Sequence, residues 1–103
     1  MTVDVNLTGA GWWFAASHRD PRDGALHGHT WEVTAWWPAE PWRDARVLQE
    51  TLKGVLVGFD HKELPPELHS GEAIAKALMS LMTDCVGVDV SRPAERIYAR
   101  VRA

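Results

Sequence analysis

Three of the chain's five histidines stand close together. His18 closes the run Phe14-Ala15-Ala16-Ser17-His18, and His27 and His29 open His27-Gly28-His29-Thr30-Trp31-Glu32-Val33. Three neutral imidazoles with no thiolate or carboxylate among them are a recognised catalytic zinc set, because they leave a fourth position for water or substrate. A closed structural site more often includes cysteine, and none lies nearby. His-x-His on a strand projects both rings from one face. By itself that spacing also fits two surface histidines in a turn. Asp60-His61 is a second pair of interest, a carboxylate placed to orient and charge-match a general acid–base imidazole. Its plain alternative is a helix exit carrying polar residues. Cys85 has no histidine beside it and reads as a small buried residue.

The elements that must position these groups follow from periodicity. Thr2-Val3-Asp4-Val5-Asn6-Leu7 alternates like a strand, with a turn or bulge expected at Thr8-Gly9-Ala10-Gly11. Extension resumes at Trp12 and runs to His18, and residues 19–24 are loop by composition. Residues 27–37 form the strongest strand. Trp12, Phe14, Ala16 and His18 share one parity, as do His27, His29, Trp31 and Val33. A short connection favours an antiparallel hairpin, which places all three histidines on one mostly apolar face.

After Pro38-Ala39-Glu40-Pro41 the period becomes helical. Val47, Leu48, Thr51, Leu52, Val55, Leu56 and Phe59 trace one face, with Gly58 helping to close the helix. Residues 62–68 read as connector. Ser70 is the expected N-cap of a second helix, whose buried stripe is Ile74, Leu78, Leu81 and Met82. Glu72 in its first turn suits the helix dipole. The tail holds one or two strands, with Ile97, Ala99 and Val101 in phase. The order implies an α+β fold with mostly antiparallel pairing, as one domain over 1–103.

Composition narrows the function classes. A chain that is 46% hydrophobic and 24% charged is that of an ordinary globular protein. A net charge of -3 offers no basic footprint for nucleic acid or an anionic membrane. A single cysteine excludes an internal disulfide and fits a cytoplasmic location. Six tryptophans crowd the first half, more than a small sheet can bury. Neighbouring pairs such as Trp12-Trp13 and Trp36-Trp37 point to opposite faces, so a subunit contact or ligand is expected on one of them.

Taken together, Phe14-Ala15-Ala16-Ser17-His18, His27-Gly28-His29-Thr30-Trp31, Phe59-Asp60-His61 with Leu64, and Ser70-Gly71-Glu72 resemble the 6-pyruvoyltetrahydropterin synthase and 6-carboxytetrahydropterin synthase family. The resemblance spans most of the chain, and its specificity lies in the order and spacing of the pieces. It implies the T-fold: a four-stranded antiparallel sheet with two helices on one face, subunits joining their sheets into a barrel, commonly as a homohexamer. It implies zinc on His18, His27 and His29, acting as Lewis acid on a pterin-like ligand. It further implies catalytic roles for Asp60 and His61, and places Ser70 and Glu72 near the pterin pocket. A zinc-dependent lyase acting on dihydroneopterin triphosphate or a related pterin is the enzyme this describes.

Two departures from the family pattern bear on activity. The family's general-base cysteine stands four residues before His-Gly-His, where this chain has Asp23. A carboxylate near pKa ~3.9 in place of a thiol near ~8.5 is weaker in proton affinity by about 6 kcal/mol. The family's Val-x-Glu-Thr, whose glutamate anchors the pterin edge, is missing. In one alignment Val90-Ser91-Arg92-Pro93 stands there; in another the chain stops short of it, and Glu95 matches neither. Two readings stay open: a synthase-like enzyme, or a non-catalytic pterin- or purine-binding or assembly subunit.

Overall fold

A computed structural model describes residues 6–103. The expected strand residues Thr2 to Val5 lie outside the described residues. From Leu7 the chain enters a long hairpin, β1 (Leu7–Arg19) and β2 (Leu26–Pro38). The two strands pair antiparallel along their full length, from Leu7 opposite Pro38 to Arg19 opposite Leu26. The break expected at Thr8 to Gly11 does not occur. Both glycines stay in the ladder, and at Gly9 the reason is steric. The Trp36 ring lies across that backbone, and a Cβ there would meet Trp36 Cζ3 at 2.6 Å. Glycine marks a close approach here, not a turn.

Helix α1 (Ala45–Leu56) follows, started by Asp44, whose carboxylate accepts from the Arg46 backbone N–H. Leu48, Leu52 and Leu56 are its buried residues. Val55 and Phe59 pack partly against the core, whereas Val47, at the margin of the expected stripe, faces solvent. The connector contains a strand that periodicity did not reveal, β3 (Lys62–Glu63), which runs parallel to β1 at Ala16 and Ser17. Helix α2 (Gly71–Ser80) begins as expected at Ser70, whose hydroxyl accepts from Ala73 N–H at 3.1 Å. Its buried residues are Ile74, Ala75 and Leu78. Leu81 is exposed because the helix ends there; Met82 turns back into the core from the following turn. Strands β4 (Gly87–Arg92) and β5 (Ile97–Arg102) complete the chain.

The sheet order is β3-β1-β2-β4-β5. It is therefore a five-stranded mixed sheet, where four antiparallel strands were expected. The four long strands are antiparallel, and the two-residue β3 supplies the parallel pair. Register carries one face across the sheet: Phe14 stands opposite Trp31, Val33 opposite Val90, and Val90 opposite Ala99. That face and the buried residues of both helices form one core with Trp37, Leu52, Ile74 and Leu78. Cys85 is buried, its thiol donating to the Gly87 carbonyl. Of the tryptophans, Trp31 and Trp37 are core residues, while Trp12, Trp13 and Trp42 are exposed. Trp12 and Trp13 stack on each other, and the Lys53 ammonium lies 4.3 Å from the Trp12 ring centre. Among the described residues no helix is long and apolar enough to cross a membrane.

Candidate functional site

The open end of the hairpin, the start of α2 and the β4–β5 turn enclose a cavity of about 530 Å³. His18, His27, His29, Ser70 and Glu72 all line it. Register explains the histidines: His18 is directly opposite His27, and Ala16 is opposite His29, so all three share a face. The His18 and His29 ring centres are 5.0 Å apart, and those of His27 and His29 6.3 Å. Trp31 forms the base of the group, its ring edge-on to His18 and to His29, each 5.4 Å away.

Each imidazole has a different setting. His18 is buried, and its Nδ1–H donates to the His69 carbonyl at 3.1 Å, leaving Nε2 as the available lone pair. Burial lowers its pKa, the His69 carbonyl partly opposes that, and Arg92 and His27 add to the lowering. His29 accepts at Nε2 from Arg92 Nη1 at 2.8 Å, so its proton is on Nδ1, where Glu95 Oε1 takes it at 3.1 Å. Its pKa is lowered as well, by burial first and by Arg92 second, with Glu95 opposing. His27 is half-exposed, with Nε2 3.9 Å from Asp23 Oδ1. Asp20, Asp23 and His27 bring their donor atoms within 4.8 Å of one another at the loop. Asp20 is already engaged there: both oxygens hold Arg22, which keeps the carboxyl far below the usual range. Asp23 Oδ1 accepts from Ala25 N–H.

Three neutral imidazoles are the right donor chemistry for zinc, but their ligating nitrogens do not all lie within 4.8 Å of one another, so an ion there would draw the rings inward. Metal–nitrogen bonds near 2.0 Å in a tetrahedral set put ring centres about 5 Å apart. The His18–His29 ring centres already have that separation, and those of His27 and His29 are about one ångström wider. The other ring nitrogens of His18 and His29 are held by a carbonyl and a carboxylate, the partners that orient metal-bound imidazoles.

Asp60 and His61 are not brought into this cavity. They dock on the outer edge of β1. Asp60 Oδ1 accepts from Ala15 N–H at 2.9 Å, and His61 N–H donates to the Ala15 carbonyl. Asp60 Oδ2 lies 2.8 Å from His61 Nδ1, so the expected carboxylate–imidazole pair does form. The His61 ring is largely exposed on a residue with φ +57°. The Ala15 N–H is the main cause of Asp60's lowered pKa, with His61 adding to it. Asp60 thus substitutes for a strand, leading directly into β3.

Sequence reasoning missed Arg92 and left Glu95 unplaced. Val88, Val90 and Arg92 alternate, so parity already put Arg92 on the core face at the end of β4. Its guanidinium lies beside the Trp31 ring and within 3.4 Å of Glu95. Glu95 reaches the site from the β4–β5 turn, closed by Arg96 in the left-handed conformation.

No protein-family model matches the chain. No curated protein matches it in sequence either. Among solved structures, 6-pyruvoyl tetrahydropterin synthase of Caenorhabditis elegans superposes with a TM-score of 0.66 at 16% identity. The superposition covers 100% of this chain and 99% of that one. At that identity the likeness concerns the fold: the chain has the fold of 6-pyruvoyl tetrahydropterin synthase.

Proposed function

We propose that the chain is a 6-pyruvoyltetrahydropterin synthase-like protein that binds a pterin-like ligand in the histidine cavity, beside a zinc ion held by His18, His27 and His29. The observation that carries this is the convergence of those histidines with Ser70 and Glu72 on one cavity, in a chain of this fold. When bound, zinc supplies Lewis-acid polarisation of the ligand's oxygens. The chain's own groups do the rest. Trp31 gives an aromatic wall, Glu72 stands at the helix start as a carboxylate acceptor, and the His69 carbonyl and Glu95 hold two imidazoles in the tautomer whose lone pair is on Nε2. Ser70 serves by capping α2, its oxygen being committed to Ala73 N–H.

Proton transfer at this cavity falls outside the single chain. Asp23 replaces the thiol base and is tied to the loop, and the Asp60–His61 pair stands on the outer edge of β1. The reading therefore includes assembly: His61, charge-matched by Asp60, serves a ligand in another copy's cavity, as in a homohexamer whose sheets join into a barrel. The exposed Trp12 and Trp13 suit such a contact. The alternative is a non-catalytic pterin- or purine-binding or assembly subunit, and it rests on Asp23 standing where the family has its thiol base.

The protein with zinc and dihydroneopterin triphosphate tests this. Tight pterin binding that quenches tryptophan emission is expected, and turnover to 6-pyruvoyl- or 6-carboxy-tetrahydropterin decides between the two readings. Metal content unchanged in His18→Ala, or no pterin binding with zinc present, would remove the basis of the proposal.

A further inference from the structure

The guanidinium of Arg92 stands at the nitrogen that a metal needs. Nη1 donates to His29 Nε2 at 2.8 Å, Nη2 is 3.4 Å from Glu95 Oε2, and Cζ is 5.4 Å from the Trp31 ring centre. The His29 Nδ1–H is committed to Glu95, so Nε2 carries the only lone pair the ring can offer. An arginine does not deprotonate to yield that position, and its positive charge repels a dication. Arg92 and a metal ion therefore exclude each other at His29.

We infer that Arg92 is a built-in competitor for the metal site: zinc joins His29 only when the guanidinium leaves it. This rests on the three-histidine reading above. Two features fit a displaceable seat. Arg92 Nε is buried with no partner, so the guanidinium sits there with one donor unsatisfied, which weakens its hold. Glu95 can also keep Arg92 through Nη2 while Nη1 departs, since the ion pair and the imidazole bond use different nitrogens. While seated, Arg92 keeps His29 in the tautomer with Nδ1 protonated, the one metal ligation requires. Loading is thus an exchange of two cations at one prepared lone pair.

Zinc affinity of the full chain, measured at pH 7.5 by competition with a chromophoric chelator, tests the exchange. Arg92→Met and Arg92→Gln should each bind zinc about tenfold more tightly or better, the equivalent of one charge-assisted hydrogen bond no longer broken on loading. His29→Ala should bind it more weakly. In the unsubstituted protein, zinc titration followed by nitrogen-15 NMR should shift the Arg92 side-chain resonance together with that of His29 Nε2. Zinc bound equally well by the parent and both Arg92 variants, with His29→Ala still weakened, overturns the competition and leaves the metal site standing. An Arg92 resonance that stays in place while His29 Nε2 shifts does the same. No zinc bound by any of them overturns the metal reading and the competition together.

Discussion

Replacing Phe14 with alanine tests the scaffold beneath the histidines. Phe14 is fully buried, with its ring stacked 6.2 Å from Trp31 and tilted 5.9 Å from Phe59. It thereby joins the base of the cavity to the turn that carries Asp60 and His61. Truncation of a buried phenylalanine costs about 3–5 kcal/mol from lost transfer energy and the residual cavity. Two aromatic pairs, each worth about 0.5–1.5 kcal/mol beyond area, push the value to the upper half of that range. Against a total stability of about 5–15 kcal/mol for a domain, this is a large fraction. Phe14→Leu keeps most of the volume and loses only the ring contacts, so about 1–2 kcal/mol is expected. Urea denaturation followed by circular dichroism should show the midpoint falling in that order at an unchanged slope. A loss below about 1.5 kcal/mol for alanine, or leucine as costly as alanine, would refute Phe14 as the link between the two sites.

Stability should fall as pH drops below about 6.5, because the unfolded chain then protonates histidines that His18 and His29, with lowered pKa values, resist in the fold. Midpoints at pH 7.5 and 5.5 measure this, and His29→Gln should flatten the difference. Ser70→Ala should cost about 1 kcal/mol through loss of the α2 cap, with Ser70→Asp close to neutral. Gly9→Ala should cost about 1–3 kcal/mol by driving a methyl into the Trp36 ring, and the displaced indole should lose its bond to Asp89, seen as a shifted tryptophan emission. Asp60→Ala should speed amide exchange at Ala15 far more than Asp60→Asn, which retains an acceptor oxygen.

Much of the fold was legible because the hairpin's burial is one-sided. Parity alone placed His18, His27 and His29 on a shared face, and the Ser70 cap and the Leu48-Leu52-Leu56 stripe were each written in local spacing. What escaped were features set by partners distant in sequence. Gly9 looks like a turn until Trp36 is seen to occupy its missing side chain. β3 has two residues, too few for a period, and exists because Asp60 and His61 dock on Ala15. Arg92 is a charged residue in an apolar phase, which reads as the end of a strand until His29 and Glu95 are found beside it. Asp60 and His61 were adjacent in sequence and remain paired, yet adjacency carried no information on which side of β1 they would lie.

The sheet order also sets a sequence of events in folding. β1 and β2 are joined through residues 20–25 alone, so their pairing closes a short loop. β4 reaches β2 only after both helices have intervened, across residues 39–86. Loop-closure entropy and non-local contact make that second zipper the slow one. Five of the six tryptophans lie in the hairpin, so refolding traced by their emission should run ahead of amide protection at Val88 and Val90; simultaneous rates would show a single concerted closure. The histidines would then be assembled early on a hairpin still lacking Arg92 and Glu95, and the cavity becomes enclosed only when the C-terminal strands arrive.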